Sequence, residues 1–361
     1  MRTGKRPANP RRSHRRPRHV TIRDVARAAG ASVSTVSAAI NHTDYISADM
    51  RERIESAIRR LRYHPNQMAR SLRLQRTHTI AIVVPDLSNS FYTELIRGVR
   101  DYAVTVNYTL LVGDSREKWE EERAYLEEFR RRRADGIVRV PAVDDSGSMA
   151  ARIAGEIPIV YADRLPRSKG RAVGRVGVDS VAAAEHATRY LLSLGHRRIA
   201  IIAGPLENRN SEDRVEGYRR ALRSAGIALD QSLIRTGDNT FSSGHQQVME
   251  VLSRLDRPTA IFSTNNMMAL GALRAIQELQ LRCPKEISLL GFDDFEWATL
   301  LRPALTMVSQ PAREIGALAA RTLIEHIEGR PRGSGTQILP TQLVLRGSCS
   351  PPAPLSSRRK K

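Results

Sequence analysis

"TIRDVARAAGASVSTVSAAIN", residues 21–41, sets two short helical patterns on either side of one glycine. Thr21 suits an N-cap, and Asp24, three residues on, suits both the free amides and the positive end of the helix dipole. Gly30 stands where a chain leaving a helix needs a positive φ. Ser32 can cap a second helix that runs to about Ile40. Ala26, Gly30 and Val36 have the spacing that lets two short helices cross closely, which is a helix-turn-helix arrangement. A third helix follows, capped by Ser47, with Met50, Ile54, Ile58 and Leu61 on one stripe. Val25, Val36, Ile54 and Ile58 then make a small core. Val33, Ser34, Ser37 and Ala38 are left facing outward. Short side chains on an outward face suit a helix lying in the major groove, against base edges and thymine methyls.

Charge supports that reading. The 361 residues carry a formal net charge of +20, very unevenly placed. Residues 1–76 hold 18 Lys and Arg against 5 Asp and Glu, and the last eleven residues add four more basic side chains. The rest is close to neutral. A basic end on a near-neutral body is the footprint of a nucleic-acid binder, because each Lys or Arg laid on phosphate releases condensed counterions. Residues 1–19 contain no acidic side chain and too little apolar surface for a core, so a disordered basic arm is expected there. Two cysteines, Cys283 and Cys349, are too few for a disulfide framework, and a reducing cytoplasm fits them. No apolar segment marks a signal peptide or approaches a membrane span. No metal-ligand spacing or cofactor motif is found.

From Thr79 onward, strand-length apolar runs alternate with amphipathic stretches. The runs are "TIAIVV" (79–84), "YTLLV" (108–112), "GIVRV" (136–140), "IPIVY" (157–161), "RIAIIA" (198–203), "TAIFS" (259–263) and "ISLLGF" (287–292). Helical stretches include 116–132, 180–194, 211–225, 266–281 and 311–328. Continuous β-branched runs separated by helices predict parallel sheets covered on both faces. About 270 residues exceed a usual single core, so two doubly wound lobes are expected, with a ligand between them at the carboxyl ends of the strands. The expected organisation is an arm (1–19), a helix-turn-helix domain (20–64), a linker (65–77), a two-lobed α/β body (78–348) and a low-complexity tail (349–361).

Taken together, the headpiece motif, the linker "YHPNQMARSL" and the body motifs "PDLSNSFY", "DGIV", "LGHRRIAIIAGP", "DRVEGYRRAL", "PTAIFSTNNMMALGALRA" and "ISLLGFDD" resemble the lactose/galactose repressor (LacI/GalR) family over residues 20 to about 346. The resemblance implies a dimeric transcription factor, with a body like that of periplasmic sugar-binding proteins. It implies base contacts from Val33, Ser34 and Ala38 with Arg23 nearby, and Thr21, Ser32, Thr35, Asn41 and Tyr45 on or near phosphate. In the linker it implies Asn66 among the DNA-binding residues, Ala69 at a close helix–helix approach, and Leu72 as a minor-groove wedge at the centre of an operator. For the body it implies an effector cleft formed by Asp163, Arg214, Asn265 and Asp293, with Phe91 as an apolar wall. Two carboxylates, an amide and a guanidinium suit a sugar or sugar derivative, since hydroxyls both donate and accept.

Three positions depart from the family pattern. Ala38 replaces a side chain that is often Arg or His. Asn239 stands where an aromatic is common, and Asn266 where Asp is usual. Arg139, in an otherwise apolar strand, is open to two readings, a contact to an anionic ligand or a strand-end charge, and the second is favoured. An enzyme would need a reactive constellation, yet the chain has no dinucleotide-binding glycine motif, phosphate loop, nucleophile elbow or zinc-protease motif. A solute-binding transport protein would share the body, but it predicts a signal peptide and no basic headpiece. The expected function is therefore a DNA-binding regulator, expected to be a repressor, controlled by a small polar effector. Whether the effector releases or recruits it is open.

Overall fold

A run such as Thr79–Val84 can be apolar at every position only if both of its faces are covered. The computed structural model describes residues 20–41, 45–63, 76–144, 148–167, 170–330 and 335–353. They divide into two units, up to Gln75 and from Arg76 onward.

Among its described residues the first unit holds three helices: α1 (Ile22–Ala29), α2 (Val33–Asn41) and α3 (Ala48–Leu61). Asp24 Oδ2 accepts from the Thr21 backbone N–H at 2.9 Å and from its hydroxyl at 2.7 Å. Gly30 takes the left-handed conformation that ends α1, with φ 61°. Arg53 of α3 adds a bond from Nη2 to the Ala29 carbonyl at 2.8 Å, closing the same helix end. Ser32 Oγ caps α2 through the Thr35 N–H at 3.0 Å, and Ser47 Oγ caps α3 through Met50. Val25, Val36 and Ile54 are fully buried, as the spacing predicted, with Ile58 partly so. Tyr63, within the expected domain bounds, also packs into this core.

The second unit has two six-stranded sheets. The first lobe contains β1 (Thr79–Val84), α4 (Ser90–Thr105), β2 (Thr109–Asp114), α5 (Trp119–Arg131), β3 (Gly136–Arg139), α6 (Ser148–Ala154), β4 (Ile159–Ala162) and β5 (Gly174–Val178). The second contains α7 (Ser180–Ser193), β6 (Ile199–Ala203), α8 (Arg209–Ser224), β7 (Ile234–Thr236), α9 (Phe241–Leu252), β8 (Ala260–Ser263), α10 (Asn266–Glu278), β9 (Ser288–Phe292) and β10 (Thr306–Ser309). The chain then returns to the first lobe with α11 (Ala312–Ile327) and β11 (Thr336–Leu339), and ends in the second with β12 (Gln342–Val344). Strand orders are β11-β5-β4-β3-β1-β2 and β12-β10-β9-β8-β6-β7. All pairings are parallel except β10 with β12. Three crossings therefore join the lobes, after β5, after β10 and between β11 and β12.

Alternate residues of β1 serve the two faces. Ile80, Ile82 and Val84 pack under α4 and α11, while Ala81 and Val83 pack with Leu126 and Phe129 of α5. β6 repeats this between α9/α10 and α7/α8. α4 and α11 touch backbone to backbone. A Cβ on Gly316 would lie 2.0 Å from the Leu95 carbonyl oxygen, and one on Gly98 1.9 Å from that of Arg313.

Three sequence expectations change. Arg139 does stand at the end of β3, but inside the protein. It is fully buried and pairs with the equally buried Glu122, whose other oxygen accepts from the Ala142 N–H at 2.8 Å. Residues 76 and 77, expected in the linker, are fastened to the body, Thr77 N–H to the Asp135 carboxylate at 2.9 Å and Arg76 to the Ile327 carbonyl at 2.7 Å. Cys349 and Ser350, expected in the tail, are held against β9. Ser350 donates to Ser288 Oγ at 3.1 Å, and His196 Nε2 meets the Ser350 carbonyl at 3.0 Å. The arm 1–19, Asn66, Ala69 and Leu72 of the linker, and residues 354–361 of the tail lie outside the described residues.

Candidate functional site

α2 buries Val36 and Ala39 and leaves Ser32, Val33 and Ser34 exposed, with Thr35, Ser37 and Ala38 half-buried beside them. Asn41 is its last residue. Thr21 and Arg23 are exposed at the start of α1, and Tyr45 is 98% exposed after α2. The outward surface of α2 is thus a row of small hydroxyl and methyl groups. Such a row fits a groove of base edges, while the Thr21 and Ser32 ends offer amide-rich helix starts suited to phosphate.

In the body, each lobe ends one strand on an aspartate. Asp163 follows β4 with φ 59°, and Asp293 follows β9 with φ 67°. Left-handed backbone is uncommon outside glycine and tolerated best by Asn and Asp. Both carboxylates are buried at the carboxyl ends of their sheets, where ligands of doubly wound folds bind. Asn210 Nδ2, from α8 in the second lobe, donates to Asp163 Oδ1 of the first at 3.1 Å. One turn along the same helix, Arg214 Nη1 donates to the Thr264 carbonyl at 2.6 Å and lies 3.8 Å from Asp293 Oδ2. Its guanidinium covers the Phe292 ring at 3.8 Å. Gln310, at the β10–α11 crossing, donates to Asp293 Oδ1 at 2.5 Å.

Burial pushes Asp163 up to about 6, against the pull of Arg214 and Arg164. Asp293 is likewise raised by burial, opposed by Arg214 and by the Gln310 bond. Arg164 is disfavoured by burial. Even so, Glu117 holds it firmly charged, accepting from both terminal nitrogens at 2.6 Å. Arg164 also donates to the Pro141 carbonyl at 3.1 Å.

Asp163, Arg214 and Asp293 therefore converge. Asn265 sits beside them as the N-cap of α10, its Oδ1 accepting from the Met268 N–H at 2.9 Å. Phe91 is buried in the first lobe's core and lines, with Ser90 and Gln310, an inter-lobe cavity of about 690 Å³ whose wall includes none of Asp163, Arg214, Asn265 and Asp293, so the structure does not bring Phe91 together with them. Sequence reasoning missed Asn210, Gln310, Glu117 and Arg164. Asn210 was within reach, being four residues before Arg214 and so on the same helix face. Gln310 and Glu117 carry no local signal, because only the tertiary fold brings them to the cleft.

Comparison with known proteins decides the lineage. The profile described as "Bacterial regulatory proteins, lacI family" matches residues 21–66, and "Periplasmic binding protein-like domain" matches 188–349. The HTH-type transcriptional repressor CytR of Escherichia coli (strain K12) is 33% identical over 91% of this chain and 96% of its own length. The chain belongs to the lacI family of bacterial regulatory proteins. Catabolite control protein A of Priestia megaterium is 34% identical, over 91% of this chain and 99% of that one. Among solved structures, the lac repressor dimer bound to operator and the anti-inducer ONPF superposes with a TM-score of 0.82 at 28% identity, covering 92% of this chain and all of that one. The transcriptional regulator CelR–cellobiose complex gives 0.69 at 31% identity, covering 91% of this chain. This chain is accordingly a DNA-binding transcriptional regulator, with a helix-turn-helix headpiece and a periplasmic-binding-protein-like body.

Within the lacI-family frame, two of the departures acquire a physical account. Asn266 Nδ2 donates across the lobes to Asn89 Oδ1 at 2.9 Å and lies 3.3 Å from Ser90 Oγ. Asn89 Oδ1 already accepts from the Phe91 N–H, so an aspartate at 266 would set one acceptor against another. Asn239 also bridges the lobes, from Nδ2 to Glu117 Oε1 at 3.1 Å. No helix among the described residues is long and apolar enough to cross a membrane.

Proposed function

We propose that this chain is a cytoplasmic homodimeric repressor whose affinity for a double-stranded operator is set by a small polyhydroxylated effector, most simply a sugar or sugar derivative, held between the lobes. Val33, Ser34 and Ala38 read base edges, with Arg23 and Ser37 beside them. Thr21, Ser32, Thr35, Asn41 and Tyr45 contact phosphate. In the linker, Asn66 and Ala69 support the pair of Leu72 wedges at the operator centre. Asp163, Arg214, Asn265 and Asp293 contact the effector.

The observation that carries the effector half is the convergence of buried, polar side chains from both lobes on one point, Asp163 from one and Asn210, Arg214 and Asp293 from the other. A ligand there bridges the lobes and so biases their arrangement, which is what a control site must do. The CelR–cellobiose complex lends support by analogy. The test is fluorescence anisotropy on an operator selected from random DNA, titrated with and without each member of a sugar panel. A compound that shifts operator affinity supports the reading. Sugar binding with unchanged operator affinity would refute control by the cleft.

A further inference from the structure

We infer that the cleft is built for an uncharged ligand rich in hydrogen-bond donors, and against phosphate esters and sugar acids of the same shape. This deepens the proposed function and rests on it.

Both guanidinium groups of the cleft are already engaged. Arg164 is forked onto Glu117, each terminal nitrogen 2.6 Å from a carboxylate oxygen. Arg214 is held by the Thr264 carbonyl, by Asp293 and by the face of Phe292. Counting Asp163, Asp293 and Glu117 against these two arginines, the formal charge of the cluster is negative before any ligand enters. An anion would enter against that charge and would have to displace a carboxylate from its arginine. Breaking a buried ion pair in this way leaves an uncompensated charge.

The unfilled valences point the same way. Gln310 Oε1 and Asn266 Oδ1 are buried oxygens without a hydrogen-bond partner, and both residues are more than nine-tenths buried. Asp163 and Asp293, carrying lone pairs beyond those used by Asn210 and Gln310, add acceptors. Against these, among the cleft side chains named above, stands one unpartnered buried donor, Arg214 Nε. A ligand hydroxyl can donate to any of the four acceptors and accept from the one donor. A phosphate or carboxylate has only acceptors to offer, so it would leave the oxygens unpaired, which is the arrangement that discriminates most strongly in buried sites.

The experiment is calorimetric titration of the full chain with matched sets: D-ribose with ribose 5-phosphate, D-glucose with glucose 6-phosphate and glucuronate, and D-galactose with galacturonate. The expected result is a neutral member binding at least tenfold more tightly than each charged counterpart. Glu117→Gln, which frees Arg164 from its carboxylate, should narrow the gap to the phosphate and acid by improving their binding. A charged member that binds as well as its neutral partner overturns the inference and leaves the effector reading standing. Failure of every compound, in wild type and variant alike, overturns that reading and the inference with it.

Discussion

Burial and two arginines act on Asp163 in opposite directions, and burial wins, placing it at about 6. In the unfolded chain an aspartate titrates near 3.9. Between those values the folded protein keeps a proton that the unfolded chain has lost. The stability contributed by the protonated form is therefore complete below about pH 4, and it is lost as pH rises through 6. At 1.4 kcal/mol per pH unit, full ionisation costs roughly 3 kcal/mol. Asp163→Asn removes the charge and can keep the Asn210 bond. Its melting temperature should exceed that of the wild type at pH 7.5, with the difference shrinking towards pH 4. A pH-independent difference in thermal melts would contradict the burial argument. Arg214→Ala addresses the same cluster from the other side. It strips the cation from Asp293 and the donor from the ligand, and hydrogen bonds to charged groups contribute about 1.5–3 kcal/mol each. Effector affinity should fall at least 100-fold while operator binding without effector is unchanged. An unaltered effector response of operator binding would place the control site elsewhere.

At the scale of elements, the strands that could be read in the sequence were those that carry a run of apolar residues, the half-exposed edge strand β2 among them. β1, β6, β8 and β9 are buried along nearly their whole length, and each has a neighbouring strand on both sides. The strands not foreseen are of another kind. β5 is interrupted by glycines, β7 and β12 have three residues each, and β10 begins on a buried threonine. Their partners, not their sequences, make them strands. The cleft was legible to a similar degree. Asp163 and Asp293 follow strong strands, so their place at the strand ends could be anticipated. Their left-handed backbone could not, nor could the convergence of Gln310 and Glu117 from distant loops. Arg139 misled because a lone arginine in an apolar strand says nothing about Glu122, 17 residues earlier on a helix. The α4–α11 contact offers a test at this scale. Gly316→Ala drives a methyl into the Leu95 carbonyl, and the backbones must separate across the whole crossing. Overpacking of this type costs about 1–3 kcal/mol, at the upper end where the obstacle is backbone. Gly335→Ala meets nothing within 4 Å and serves as the control. Urea unfolding should show the first destabilised and the second close to wild type. Equal midpoints would mean that the helices can part freely.

For the whole molecule, the division between Gln75 and Arg76 coincides with the division of charge. The unit up to Gln75 belongs to a stretch with 18 Lys and Arg against 5 Asp and Glu, whereas the body has two complete sheets with their own cores and little net charge. Because Arg76 and Thr77 are anchored to the body by their own hydrogen bonds, a fragment spanning 76–361 begins on a secured edge. It should fold cooperatively and bind the effector with the affinity of the full chain. It should also lose operator binding, since neither α2 nor the basic segment remains. The full chain supplies the quantitative half of the argument. If eight of its basic side chains neutralise phosphates, log K against log salt has a slope of about −7, and affinity falls by roughly 10⁴ between 50 and 200 mM salt. Removing residues 1–19 should flatten that slope and weaken operator and random DNA alike, because phosphate contacts position the protein without reading sequence. Anisotropy titrations at four salt concentrations on both DNAs decide the matter. A fragment that still prefers operator would place recognition in the body, and a truncation that changes sequence preference would show the arm reading a groove.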